Sequence, residues 1–349
     1  MKTGVELIKK LACCFGPTSA EEAVERAVRE EIGDLPVELH TDRMGNLTAH
    51  LQGPQGAPRV MLSAHMDEVG FMLTEIDSDG FLRFDTVGGI DPRVLCGRGV
   101  LIGTENGLIP GVIAAKGIHL QDAKERSKVP AVQDFYIDIG AADQEQAEQM
   151  VALGDLGCFD TPFLRFGQGE RFIRCKALDD RIGCALLIEI LREVIKTPPA
   201  LDLWFCFTVR EEIGKSGALV CANRIAPDAA IILETTAIAD IPDAEPAKQV
   251  AKVGEGGVLS LVDRSTVYDR GLIDFALETA KAHAIPVQVK RYVSGGNDAA
   301  HIQRSGKGAR CMALSCATRY LHAPASVASL CDVEAIRALV CAMLSDWKG

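Results

Sequence analysis

Acidic and imidazole side chains recur in this chain at the ends of apolar runs. "VMLSAHMDEV" delivers His65, Asp67 and Glu68, "LDLWFCFTVREEIG" delivers Glu211 and Glu212, and "DAAIILETT" delivers Glu234. "CKALDDRIG" carries Asp179 and Asp180 at the head of a helical stretch, and "SCATRYLHAP" carries Arg319, Tyr320 and His322. Taken singly, each acid reads as a solvated strand end, Asp179 as a helix cap, and His322 as an ordinary surface or core histidine. Taken together, two imidazoles and several carboxylates form the donor set of a borderline divalent ion such as Zn²⁺, Co²⁺ or Mn²⁺. Ca²⁺ would favour oxygen alone. The neighbouring carboxylates of Glu211 and Glu212 make the same demand, because like charges at the end of a buried strand need a positive partner.

Other chemistries lack their residues. There is no HExxH, no GxSxG and no phosphate-binding P-loop. Ser216 in "GKSGA" has no nucleophile-elbow context and reads as a helix cap. The "SGGND" stretch, Ser294 to Asp298, reads either as a turn or as the lining of a pocket.

These residues must be held by an α/β frame. "GVELIKKLACCF" and "SAEEAVERAVREEI" have helical spacing, the second with Thr18 or Ser19 as its expected N-cap. From about residue 168, buried strands alternate with amphipathic helices. They end in "DVEAIRALVCAMLSDW", with Asp332 as its expected cap. Residues 68–167 differ: short runs flank "DSDG" and "ENG" turns, with one helical candidate at "AADQEQAEQMVAL". The expected architecture is a three-layer α/β/α domain from residues 1–67 and 168–349, carrying a small all-β domain inserted at 68–167.

The 349 residues suffice for two domains, and 48% hydrophobic with 24% charged residues is an ordinary globular balance. A net charge of −11 argues against nucleic acid or an anionic membrane as partner. The first residues lack the apolar core of a signal peptide. The twelve cysteines, mostly inside apolar runs and without CxxC pairs, suit a reducing cytoplasm.

The ordered set His-x-Asp, Asp-Asp-Arg-x-Gly, Glu-Glu, an acid after an apolar strand, and Arg-Tyr-x-His resembles the M42 family of metallo-aminopeptidases. This is the glutamyl and tetrahedral aminopeptidase group, some of whose members carry cellulase labels. The resemblance runs from the first helix to the last and includes "GGIDPRVLCGRGV", "GVIAAKGIHL" and "LGDLGCFDTPF" in the insert. It implies removal of N-terminal residues from short peptides at two divalent ions, Zn²⁺ or Co²⁺, with Mn²⁺ as a further candidate. His65 and Glu234 would hold one ion and Glu212 and His322 the other, with Asp179 bridging them and the peptide after Asp179 often cis. Asp67 would orient His65, and Glu211 would act as general base. Gly296, Asn297, Asp298, Arg319 and Tyr320 would contact substrate. The insert would serve dimer contacts, with a tetrahedral dodecamer as a further step.

The chain departs from the family pattern in three places. Glu234 stands where Asp is usual, Asn297 where Thr is common, and Cys316-Ala317-Thr318 where a proline is common. Two other readings compete: a glycoside hydrolase, and a catalytically impaired binding or scaffold protein. The first would need aromatic platforms, whereas aromatics make up 5% of this chain. The second has Glu234 as its one foothold. Side-chain preference would require a pocket cation for glutamyl substrates, and Lys290 and Arg291 lie next to the "SGGND" loop in sequence.

Overall fold

The computed structural model describes residues 4–290 and 292–347. Period-2 alternation builds its central sheet. In the strand Arg59–His65, Val60, Leu62 and Ala64 pack into the large core on one face, and Met61 packs into a smaller core on the other. Leu203, Phe205 and Phe207 against Cys206 repeat the pattern in the strand Asp202–Thr208. Helices Gly4–Ala12, Glu22–Ile32, Leu178–Val194 and Leu330–Ser345 cover the first face, and Ser216–Ile225 covers the second. The result is a three-layer α/β/α domain.

Four strands of this sheet run parallel side by side: Asp202–Thr208, Arg59–His65, Ala229–Ala237 and Arg310–Arg319. Parallel strands share one carboxyl edge, and ligands in open α/β sheets sit beyond that edge. The register aligns Thr208 with His65 there, so the loops that follow begin level with one another. Gly257–Ser260 joins Arg310–Arg319 antiparallel and carries Val287–Lys290 as its parallel neighbour. Cys316, Ala317 and Thr318 continue the ladder against Thr235, Thr236 and Ala237.

The insert is a closed six-stranded barrel from Gly70–Ile76 to Leu156–Phe159, with a core of its own around Phe71, Ile102 and Phe135. The "DSDG" and "ENG" turns join barrel strands as their chemistry suggested, and Gln144–Met150 is the expected helix. Leu164–Phe166, which lies on the insert side of the boundary drawn at 167, pairs instead with Phe172–Cys175 in the large sheet.

Three expected caps are placed differently. The second helix starts at Glu22 behind Glu21. Thr18 instead donates to Asp67, and Ser19 sits at φ +76°. Ser216 is the first helical residue behind a left-handed Lys215. The last helix is capped by Ser329, while the buried Asp332 carboxylate accepts the N–H groups of Gly254 and Gly256. For Thr18 and Asp332 a tertiary partner competes for the side chain that local pattern assigned to the helix. Every cysteine is free, and seven of the twelve are buried. Among the described residues no helix is long and apolar enough to cross a membrane.

Candidate metal centre

The chain leaves each parallel strand and turns inward. His65 ends its strand, and its Nδ1 faces the backbone carbonyl of Asp67 at 3.0 Å. A carbonyl only accepts, so Nδ1 carries a proton and Nε2 is the nitrogen left facing the cluster. His322 repeats the device: its Nδ1 donates to the carbonyl of Gly89, in the inserted domain, at 2.8 Å. Both Nε2 atoms then face one carboxylate. His65 Nε2 lies 3.3 Å from Asp179 Oδ1, and His322 Nε2 lies 3.3 Å from Asp179 Oδ2. Glu234 Oε1 is 3.5 Å from His65 Nε2, and Glu212 Oε1 is 3.3 Å from His322 Nε2. His65, Asp179 and Glu234 form one triad of donor atoms close enough to share an ion, and Asp179, Glu212 and His322 form a second. His65 with Glu211 and Glu212 forms a third.

Asp67 organises the centre from behind. Wholly buried, its Oδ1 accepts the N–H of Glu211 at 2.9 Å and stands 3.3 Å from His65 Nδ1. Its Oδ2 accepts the N–H of Glu212 at 3.1 Å and the Thr18 hydroxyl at 2.7 Å. One carboxylate thus fixes both the imidazole and the pair of glutamates. The turn that carries those glutamates is pinned from the other side by Asn46, which accepts from Val209 N and donates to the Gly217 carbonyl. A Cβ on Gly217 would stand 2.2 Å from the Val209 carbonyl oxygen, so only glycine admits this closure. A buried cluster of Glu68, Lys176 and Arg181 ties the end of the first helix to the segment that presents Asp179.

The peptide Asp179–Asp180 is cis, and Asp180 Oδ1 accepts the Gly183 N–H at the start of the regular helix. Ala177, Arg210 and His322 all adopt left-handed backbone, which costs about 1–2 kcal/mol for each non-glycine residue. All three flank or belong to the cluster, where strain of this kind concentrates.

The donor set fits divalent cations. Burial, with crowding by Glu234, Asp298 and Glu212, pushes the Glu211 carboxyl well above its usual range. Burial likewise raises Glu234 to about 7 and raises Glu212. Burial opposes charge on His322 too, yet Asp179 and Glu212 lift its imidazole to about 11. Asp179 moves the other way: burial is outweighed by the two imidazoles, which hold it far below the ordinary carboxylate range. The protein therefore packs several anions around too little positive charge. Asp179 Oδ1 is buried without a hydrogen-bond donor, as expected for a lone pair meant for a cation.

A cavity of about 330 Å³ opens on this cluster. Gly296 and Asn297 line it. Asn297 also donates to the Tyr268 hydroxyl at 3.0 Å and accepts from Ala299 N. Asp298 lies behind the wall, accepting from Thr208 at 2.7 Å. Arg319 is turned into an ion pair with Asp240 and Tyr320 is largely exposed; neither lines the cavity. Three contributors escaped sequence reasoning. The Gly89 carbonyl has no sequence signal, and Thr18 looked like a cap. Lys215, whose Nζ lies 3.1 Å from Glu211 Oε1, sits in the "GKSGA" stretch that was read only for its Ser216.

Comparison with known proteins bears on the fold and the family. The family model described as M42 glutamyl aminopeptidase matches residues 45–339. A lysyl aminopeptidase of Pyrococcus furiosus is 33% identical over 347 residues, covering 98% of this chain and 97% of that one. The crystal structure of a TET aminopeptidase from the marine sediment archaeon Thaumarchaeota archaeon SCGC AB-539-E09 superposes with a TM-score of 0.95 at 33% identity, over 98% of this chain and 96% of that one. The Pyrococcus horikoshii TET1 peptidase, which can assemble into a tetrahedron or a large octahedral shell, gives 0.89 at 33%, over 98% and 99%. A Thermotoga maritima structure described as an endoglucanase gives 0.80 at 30%, over 97% and 96%. With the family model spanning most of its length, this chain belongs to the M42 family and is a metal-dependent aminopeptidase, a hydrolase of peptide N-termini.

Proposed function

We propose that the centre holds two divalent ions, one on His65 and Glu234 and one on Glu212 and His322, with Asp179 between them. The observation that carries this reading is the division of the Asp179 carboxylate, one oxygen 3.3 Å from each imidazole Nε2. Both oxygens of a bridging carboxylate are needed, and both are aimed. When bound, such ions supply Lewis acidity at a water and at the scissile carbonyl oxygen. The protein does the rest. Glu211, close to the cluster but engaged by Lys215, takes the water's proton and passes it to the leaving amine. Asp67 keeps His65 and the Glu211–Glu212 backbone in register. Glu234 reaches inward despite its extra methylene, and its Oε1 also accepts the Thr235 N–H at 3.0 Å. Zn²⁺ or Co²⁺, with Mn²⁺ as a further candidate, suits this mixed nitrogen and oxygen set.

The glycoside hydrolase reading finds no support in the cavity. Among the described residues no Trp, Tyr or Phe lines it. Trp204 stacks on His50 at 3.8 Å, and Trp347 packs edge-on against Phe275. The scaffold reading needs a missing part, and every expected donor converges. Short peptides in the cytoplasm are the proposed substrates, in keeping with free thiols throughout. Self-association through the insert is supported by its exposed Leu108, Ile118, Leu120 and Val129.

Dialysis against a chelator should abolish hydrolysis of aminoacyl-anilides, and adding Zn²⁺, Co²⁺ or Mn²⁺ should restore it. The metal should also raise the melting temperature, because about 2.7 kcal/mol accrues when the free ion is at 100 times its Kd. Anilide cleavage indifferent to chelator would overturn the metal centre. Chelator-indifferent cleavage of a soluble glucan would restore the glycosidase reading.

A further inference from the structure

Glu211 stands between two roles. With His65 and Glu212 it forms a triad of donor atoms close enough to share an ion. As the base it must stay off the metal, because a carboxylate bound to a cation is a poor acceptor of the water's proton. Its backbone does not decide between the two. The Glu211 N–H is fixed on Asp67 Oδ1 at 2.9 Å, beside the Glu212 N–H on Oδ2 at 3.1 Å. Both glutamates are therefore delivered together, and the direction of one side chain separates a base from a ligand.

The chain supplies a competitor for that side chain. Lys215 Nζ lies 3.1 Å from Glu211 Oε1. The turn brings it there. Arg210 and Lys215 adopt left-handed backbone, at φ +59° and +56°, and the Lys215 N–H donates to the Arg210 carbonyl at 2.9 Å. Two strained residues thus bracket the glutamates and fold Lys215 back toward them. The Lys215 side chain is 24% exposed and that of Glu211 8%, so water screens this pair less than an ion pair on the surface. Burial opposes charge on Lys215, yet Glu211, with Asp298 and Glu234, outweighs it and raises the ammonium's pKa. Of the two ammonium groups that line the cavity among the described residues, Lys215 is the one paired with the base. Lys290 donates to Thr236 Oγ1 at 3.1 Å and to the Ser294 carbonyl at 2.9 Å, and Arg291 lies outside the described residues.

We propose that Lys215 is a positioning residue: by holding Glu211 Oε1 it keeps this glutamate out of the metal coordination and available as base. The proposal rests on the paired metal centre with Glu211 as its base, and deepens it. Lys215 acts through Glu211 and needs no contact with substrate. A merely structural lesion beside the centre would weaken metal binding and turnover together. Loss of the Lys215 restraint should move them in opposite directions, because the freed carboxylate adds a donor to an ion and removes a base from the reaction.

The test is Lys215→Met, which keeps the length of the side chain and removes its charge. In competition with a chromophoric chelator, the full-length variant should hold Zn²⁺ roughly 10-fold more tightly than the wild type, a readout independent of turnover. Its kcat on an aminoacyl-p-nitroanilide should fall roughly 10- to 100-fold with KM little changed. Lys215→Arg, which retains a cation, should recover much of the wild-type behaviour in both. Adding Glu211→Gln to Lys215→Met should abolish the gain in Zn²⁺ affinity, because a neutral amide is a weaker donor than a carboxylate. Should Lys215→Met fail to fold, Lys215→Gln takes its place. Zn²⁺ affinity equal to or below that of the wild type overturns the restraint, and so does an unchanged kcat. Either result leaves the metal centre standing as long as Glu211→Gln alone keeps its metal and loses turnover. Full activity in Glu211→Gln removes the base, and the role of Lys215 with it.

Discussion

Glu211→Gln should keep its full complement of metal and lose roughly 10²- to 10⁴-fold in kcat, the usual contribution of a general base. Glutamine preserves the shape and the backbone N–H that Asp67 accepts, so the centre keeps its geometry. What it removes is the ability to take a proton. Lys215 already pairs with Glu211 Oε1, a contact that competes with metal for that oxygen. The competing arrangement is specific: His65, Glu211 and Glu212 also come close enough to share an ion. If Glu211 were a ligand in that triad, the substitution would lower metal content along with turnover. Metal analysis by mass spectrometry beside single-turnover kinetics separates the two.

Asp179→Ala should be more damaging, losing both ions and at least roughly 10⁴-fold in activity, because Lewis acidity and base catalysis then fail together. Glu212→Ala should lose one ion and keep the other. The contrast follows from position. Asp179 stands opposite both imidazoles, at 3.3 Å from each, whereas Glu212 pairs with His322 alone among the two. Added Zn²⁺ should no longer raise the melting temperature of Asp179→Ala, a readout independent of turnover. An Asp179→Ala protein that still binds two ions would refute the bridge.

Much of this was legible before any coordinates. The near-continuous apolar runs "RVMLSAH" and "LDLWFCFT" mark strands buried on both faces, and the polar residues that follow must gather where parallel strands end. The turns "DSDG" and "ENG" mark the insert because their chemistry is local. What stayed hidden depends on partners far along the chain. Thr18 has the side chain of a cap, and only folding shows that Asp67, 49 residues away, takes its hydroxyl. Gly89 contributes a carbonyl oxygen, which every residue possesses, so no side-chain signal marks it. Arg319 and Tyr320 follow the family pattern but face Asp240 and solvent. Lys290 was visible as a charge near a loop, and only the fold shows it lining the cavity, held by Thr236 and the Ser294 carbonyl. Leu164–Phe166 reads as part of the β-rich insert because its true partner, Phe172–Cys175, lies in a different sheet.

The central claim is the paired metal centre, and anomalous diffraction from crystals grown with Zn²⁺, recorded across the zinc edge, tests it most directly. Two peaks roughly 3.5–4 Å apart, on either side of Asp179, with His65 and Glu234 at one and Glu212 and His322 at the other, are the expected result. A single peak, or one bound by His65, Glu211 and Glu212, would contradict it.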